Sequence, residues 1–341
     1  MHYKFFLSLL ILINLHAISL HASASETLAK LELPKDFKVE IFIDNIDSPR
    51  QIAESPEGNL FIGSKNGGVI YAISPDKSKR IIAQGLKYST GVTFYDGDLY
   101  FSEIDSIWKI ENIDNELING SLIPEKVLVT NNLPNNPWHG WKWIDFGPDG
   151  KLYLAVGVPC NVCNPSQEEE YNFDKRYGSI IRLNKNATWE YVATGVRNSV
   201  GFDWHPKTNE LYFGDNGRDW MGDDLPSCEL NRVVEEGLSF GFPFKHATGV
   251  LDPEYGSKIT NDMNFVDPIL EIGAHVAPTG LTFYDGEMLP EKYKNTIFMA
   301  LHGSWNRTRK SGYKILAAHF DDRGELIGYE DFITGWLQRE G

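Results

Sequence analysis

The chain is poor in cysteine, poor in basic residues relative to acidic ones, and almost without long apolar runs. Three cysteines in 341 residues are too few for a disulfide framework. Cys160 and Cys163 form a Cys-x-x-Cys pair and Cys228 stands alone. No second Cys-x-x-Cys and no His-x-x-x-His completes four zinc ligands. A bond within the pair, or from one of its members to Cys228, leaves one thiol over. Lys and Arg number 32 against 47 Asp and Glu, a net charge of −15. That balance argues against nucleic acid or an anionic membrane surface as partner, and it favours solubility and the attraction of cations such as calcium. No long amphipathic helical pattern is present.

One apolar run does exist, at the start. A short basic opening through Lys4 precedes the apolar stretch Phe5 to Leu15, and Ala22-Ser23-Ala24 offers a small-x-small cleavage site. The run is shorter than the roughly 20 residues of a membrane span, so residues 1–24 read as a signal peptide. The expectation is an exported chain, periplasmic or secreted, in which residues 25–341 form the folded domain with no membrane span after signal removal. The Asn-x-Ser/Thr sites at Asn119, Asn186 and Asn306 matter only where exported proteins are glycosylated.

What the chain has in abundance is a repeat. An inner strand, a tight turn and a strand built on Leu-Tyr or Leu-Phe recur, with turns Pro56-Glu57-Gly58, Asp96-Gly97, Pro148-Asp149-Gly150 and His205-Pro206. They are followed by Leu60-Phe61, Leu99-Tyr100, Leu152-Tyr153 and Leu211-Tyr212. A fifth unit begins at Gly280-Leu281-Thr282-Phe283 and carries an insertion before Ile297-Phe298-Met299. Each unit continues with a third strand and most with a fourth, the signature of a propeller blade. The expected fold is all-β, a six-bladed β-propeller lacking the inner strands of its last blade. In that reading Val39–Ile43 is an orphan strand and Asp331–Thr334 is the outer strand of the fifth unit. Closure with five blades is the alternative.

In such blades the second-to-third-strand loops and the loops into the next blade share a face. Trp138-His139-Gly140-Trp141, the loop 157–177, Gly195-Val196-Arg197-Asn198, the loop from Asp215 to Glu229 and His302 to Arg307 all fall there. Long loops over a rigid channel are where function is expected. His139 between tryptophans suits a general base. Arg197 offers a forked charged donor for a carboxylate or quinone oxygen, with Asn198 donating beside it. Asp223, Asp224 and Glu229, with the carbonyls of Asn216, Gly217 and Arg218, make an oxygen-rich loop of the kind calcium takes. Trp305 and Arg307 suit a planar anionic ligand. A solvated turn at Asp223-Asp224 and a blade cap at Arg197-Asn198 are the plain structural alternatives.

Taken in order, these segments resemble the soluble glucose/sorbosone dehydrogenases that use pyrroloquinoline quinone (PQQ). The resemblance rests on His139, Phe146 to Tyr153, Gly178 to Asn184, Gly195 to Asn198, Asp223-Asp224 to Asn231, Ala277 to Gly280 and His302 to Arg307. The last segment and Cys160-Asn161-Val162-Cys163 look like the sorbosone branch. The resemblance implies PQQ and Ca2+ as cofactors, oxidation of a sugar or related alcohol or aldehyde, and an external electron acceptor. His139 then matches the base that removes the hydroxyl proton while hydride passes to the quinone. Arg197 and Asn198 match cofactor contacts, as does the Trp305–Arg307 segment. The carbonyls of Gly217 and Arg218 match ligands of the cofactor's calcium, and Glu229 matches a ligand of a second, structural calcium. One departure stands out: Val158 occupies the position where glucose-oxidising members pair an aspartate with the base. Two other readings compete, a calcium-dependent lactonase and a non-catalytic propeller binding module.

Overall fold

A computed structural model describes residues 26–184 and 186–338. The predicted signal peptide lies outside the described residues. Five sheets, each with four antiparallel strands and the third with one further parallel edge strand, follow one another along the chain. Blade 1 comprises β1 (Pro49–Glu54), β2 (Leu60–Ser64), β3 (Val69–Ile73) and β4 (Lys79–Gln84). Blade 2 comprises β5 (Val92–Tyr95), β6 (Asp98–Ser102), β7 (Ile107–Ile110) and β8 (Val127–Thr130), with the short helix α1 (Ile113–Asn119) before its last strand. Blade 3 holds β9 (Ile144–Phe146), β10 (Leu152–Val156), β11 (Ser179–Leu183) and β12 (Trp189–Thr194). Blade 4 holds β13 (Phe202–Trp204), β14 (Leu211–Asp215) and β15 (Ser227–Val233). The chain then adds β16 (Leu238–Ser239) to the edge of β12 and forms the hairpin β17 (Lys245–His246) and β18 (Val250–Leu251). It returns with β19 (Leu270–Ala274) as the outer strand of blade 4. Blade 5 is β20 (Pro278–Phe283), β21 (Thr296–Leu301), β22 (Lys314–Phe320) and β23 (Leu326–Ile333).

Local chemistry sets the hairpins. Asp96 and Gly97 both take positive φ, 50° and 87°, between paired Tyr95 and Asp98. This is the geometry a two-residue hairpin needs, and Asp-Gly supplies it with little strain. Period-two alternation then sends successive side chains into two different interfaces. In β10, Leu152, Leu154 and Val156 pack against Ile107, Leu133 and Ile144, toward blade 2. Tyr153 and Ala155 pack with Phe202, Leu211 and Phe213 of blade 4. Middle strands buried on both faces are why the Leu-Tyr pairs read as continuous apolar runs.

The propeller has the five blades read from the repeat, and the sixth, expected without its inner strands, is not formed among the described residues. Apolar clusters join blades 1 and 2, 2 and 3, 3 and 4, and 4 and 5. The N-terminal segment covers part of the outward faces of blades 1 and 5. Ile43 and Ile46 lie on Ile62, Tyr71 and Ile73 of blade 1. Phe37 packs edge-on to Tyr293 and Phe332 of blade 5, at centroid distances of 5.6 and 5.2 Å. Glu32 bridges Thr334 at the end of β23. Val39–Ile43, expected as a strand, pairs with no sheet edge and so forms no ladder, leaving Phe42 48% exposed.

Sensitivity to truncation should follow this asymmetry. Met299, fully buried between blades 4 and 5, should cost about 2–5 kcal/mol as Met299→Ala. Ile52, 58% exposed on the free side of blade 1, should change stability by no more than about 0.5 kcal/mol as Ile52→Ala. Denaturant unfolding of the two variants measures both. Equal losses would mean that blade 1 is packed against a neighbour on that side.

Candidate active site

One face of the propeller gathers most of the residues singled out in the sequence. A cavity of about 730 Å³ runs down the centre, walled by Gln51, Trp141, Trp143, Asn198, Asn216 and His302 among others. Ile52 of blade 1 and Phe298 and Ile315 of blade 5 also line it, so it opens between those blades. Within its walls two buried polar atoms have no hydrogen-bond partner, Asn198 Oδ1 and Trp143 Nε1. Such atoms are costly unless a ligand or water satisfies them.

His139 stands beside Asn198 rather than in the cavity wall. A Cβ placed on Gly157 would fall 2.7 Å from Asn198 Oδ1 and 2.7 Å from His139 Cβ, so the two side chains close over a residue that has to be glycine. His139 takes φ 49°, an uncommon left-handed conformation for a residue with a side chain. Its Nδ1 lies 2.8 Å from the Val158 carbonyl oxygen. A carbonyl only accepts, so Nδ1 carries the proton and Nε2 keeps its lone pair. The position where an aspartate was missing therefore supplies the orienting acceptor from its backbone. Burial, with the Arg197 charge adding to it, pushes the His139 pKa down to about 3. The imidazole is neutral at pH 7.

Arg197 is held behind this pair, only 4% exposed. Its Nε donates to the Asn161 carbonyl at 2.9 Å, one terminal nitrogen to Asn161 Oδ1 at 2.9 Å, and the other to the Asn216 carbonyl at 3.2 Å. Asp219 lies 3.7 Å away. The backbone of Arg197-Asn198 is fixed by Asp215, whose two carboxylate oxygens accept the N–H groups of Arg197 at 2.8 Å and Asn198 at 2.7 Å. Burial raises the Asp215 pKa to about 6 in spite of those bonds. Asp215 faces Glu229 across β14 and β15, and burial, then Asp215, raises Glu229 to about 8.

The other predicted residues go elsewhere. Trp305 is 63% exposed and meets the edge of Trp220 at 5.4 Å. Arg307 bonds the Asp223 carbonyl and pairs with Asp224 at 2.8 Å, while Asp223 accepts the Thr308 N–H. These contacts tie the blade 4 loop to the blade 5 loop. Arg218 turns its side chain away to Asp252, at 2.5 Å. Glu229 accepts the Ala247 N–H at 2.6 Å and the Asn231 amide at 2.9 Å. Gly217 packs against Pro226 and the Ser227 carbonyl. Among the described residues, no group of three or more His, Cys, Asp or Glu is placed to hold a metal ion.

Some participants escaped the sequence reading. Asp215 and Asn161 lay inside quoted segments but act through backbone and neighbours. Lys142, fully buried, donates from Nζ to the Gly140 carbonyl at 2.8 Å beneath the His139 turn, and burial lowers its pKa to about 7. The Trp143 and Gln51 contributions depend on where inner strands end, which spacing does not fix. The Cys160–Cys163 bond is formed and Cys228 is free and buried.

Comparison with known proteins identifies the family of the chain and proteins of similar fold. The model of the family described as "Glucose / Sorbosone dehydrogenase" matches residues 119–305. An uncharacterized protein of Borreliella burgdorferi is 36% identical over 337 residues, covering 94% of this chain and 85% of its own. The fold is similar to that of a Trichoderma reesei enzyme of carbohydrate-active family AA12, with TM-score 0.75, 18% identity and coverage of 89% and 88%. It is also similar to the PQQ domain of pyranose dehydrogenase from Coprinopsis cinerea in its holo form, with TM-score 0.70, 17% identity and coverage of 89% and 86%. A PQQ-bound aldose sugar dehydrogenase of Streptomyces coelicolor gives TM-score 0.63, 17% identity and coverage of 89% and 84%.

The depressed His139 has a consequence for stability. The unfolded chain protonates this histidine near its ordinary value of about 6.5, whereas the folded chain resists until about 3. Unfolding therefore takes up a proton below pH 6.5, and stability falls as pH falls through that window. Relative to His139→Asn, the native protein should lose about 2 kcal/mol between pH 7 and pH 5. Urea unfolding at both values checks this, and parallel curves for the two proteins would contradict it.

Proposed function

Because this chain belongs to the glucose/sorbosone dehydrogenase family, we propose that it oxidises a sugar or a related alcohol or aldehyde with PQQ as electron acceptor, and that it acts outside the cytoplasm. The observation that carries the reading is the His139 arrangement, with Nδ1 committed to Val158, Nε2 keeping its lone pair, and the residue set over Gly157 beside Asn198, which lines the cavity. PQQ, when bound, supplies the two-electron acceptor. The cavity fits such a group. The orphaned Trp143 indole N–H and Asn198 amide are a donor and a polar partner for a planar, oxygen-rich molecule. Trp141 and Trp143 provide flat apolar walls against which a planar molecule can lie.

The chain's own part is then plain. His139 Nε2 receives the substrate hydroxyl proton as its C–H bond is oxidised. With a pKa so low the imidazole is a weak base, and its contribution lies in position rather than basicity. The buried Arg197 cation sets a positive potential behind the pocket, which favours negative charge developing in front of it. Reoxidation requires an external electron acceptor.

Calcium is a weaker fit. The side chains of Asp223, Asp224 and Glu229 are committed to partners within the protein, which leaves the carbonyls of Gly217 and Arg218 as ligands. No step above depends on it. A lactonase with a central metal would need converging carboxylates, and no observation favours that reading. Export is supported by the apolar opening of the sequence and by the Cys160–Cys163 bond, which suits an oxidising compartment. Among the described residues no helix is long and apolar enough to cross a membrane.

The test is reconstitution with PQQ, with and without calcium, following dye reduction across sugars and related alcohols and aldehydes. His139→Ala should lower kcat by about 10²–10⁴ while the cofactor stays bound. Dye reduction that is undiminished in the variant would remove His139 from the reaction.

A further inference from the structure

The four-residue ring closed by Cys160–Cys163 touches both halves of the site. On one side the disulfide packs with Val158 and Phe242, and Val158 is the residue whose carbonyl orients His139. The Val158 N–H donates to the Arg197 carbonyl at 2.9 Å, so the strand end and the Arg197 loop are tied through the backbone. On the other side Asn161, inside the ring, is the principal holder of the Arg197 guanidinium, through its carbonyl and its Oδ1. The same Oδ1 accepts the Asp219 N–H at 2.9 Å, and the Asn161 amide donates to the Asp219 carbonyl at 3.2 Å. Asn161 thus joins three loops from blades 3 and 4 at one point, with its carbonyl and both polar side-chain atoms partnered there.

A buried cation with this many fixed acceptors is rigid only while the acceptors are. Asn161 lies on a loop, not in a strand, and its neighbours in sequence are the two bonded cysteines. The disulfide removes the freedom that a loop of this kind otherwise keeps. We propose that Asn161 is a positioning residue, fixing the Arg197 guanidinium behind His139, and that the Cys160–Cys163 bond holds Asn161 in place, so that opening this disulfide loosens the reaction site. Opening it needs two electrons and two protons from a dithiol, which break the S–S bond and leave two thiols. Cys228 is a free thiol buried in the core between blades 4 and 5 and is not bonded to Cys160 or Cys163.

This inference rests on the role proposed for His139 and Arg197, but its test needs no cofactor. The His139 imidazole is titrated by NMR in the cofactor-free protein. Arg197 bears on it directly, and the charged or titratable groups around Arg197 are Asp215, Asp219, Arg218 and Cys228, with His275 at 3.8 Å from Asp219. Displacing the guanidinium removes a repelling charge, so the His139 midpoint should rise by about one pH unit in Asn161→Ala. The Cys160→Ser/Cys163→Ser pair should do the same, and so should the unmutated protein reduced with dithiothreitol, which needs no variant to fold. Combining Asn161→Ala with the cysteine pair should add little, because both act on one contact. Midpoints unmoved by reduction or by Asn161→Ala, with circular dichroism unchanged, would overturn the proposal, as would fully additive shifts. PQQ binding by the same proteins is measured separately, so loss of the cofactor reading is distinguishable from loss of this one.

Discussion

The buried carboxylate of Asp215 holds the site together. Placed at the end of β14, it turns both oxygens onto the backbone N–H groups of Arg197 and Asn198, the two residues that enter blade 4. Two backbone donors on one carboxylate fix the direction of the loop, and with it the side chains that follow. Arg197 is thereby sent back toward Asn161 and Asn216, while Asn198 is sent toward the cavity. The Asn216 amide, the next residue after Asp215, closes the turn onto the carbonyls of Asn198 and Pro278, so blade 5 is drawn into the same arrangement.

The buried charges near the site are mixed in sign. In a chain of net charge −15, Arg197, Arg218 and Lys142 are buried together with Asp215, Glu229 and Asp252. Asp145 and Asp203 line the cavity from neighbouring inner strands, and burial raises both, Asp145 to about 6 with Asp203 adding to it. Asp145 is held by the Thr93 hydroxyl at 2.6 Å and Asp203 by the Phe283 N–H at 2.7 Å. These bonds run from blade 2 to blade 3 and from blade 4 to blade 5, and they join successive inner strands around the axis.

Much of this was legible in the residues. The Leu-Tyr and Leu-Phe strands located four blades and Gly280–Phe283 with Ile297-Phe298-Met299 the fifth, because a strand buried on both faces leaves an apolar signature that few other arrangements produce. The His139, Arg197 and Asn198 segments met on one face because blade topology alone puts them there. The sixth blade did not follow: Val39–Ile43 has a strand's composition, but a strand also needs an edge, and composition does not supply one. Trp305 and Arg307 were read as ligand contacts from their types. Their environment, an exposed tryptophan pair and an ion pair with Asp224, depends on loop path. Val158 was read as a loss because a side chain was missing, although a backbone carbonyl can do the same orienting work. Backbone acceptors such as this one, and the Asn161 carbonyl, leave no trace in residue identity.

The central claim is that the orphaned polar atoms of the cavity wall receive the cofactor. Equilibrium titration of the cofactor-free protein with PQQ, followed by absorbance, tests it most directly. The account predicts saturable one-to-one binding that Asn198→Ala and Trp143→Phe each weaken by about tenfold, the equivalent of one hydrogen bond. Binding that never saturates, or that both variants leave unchanged, would contradict it.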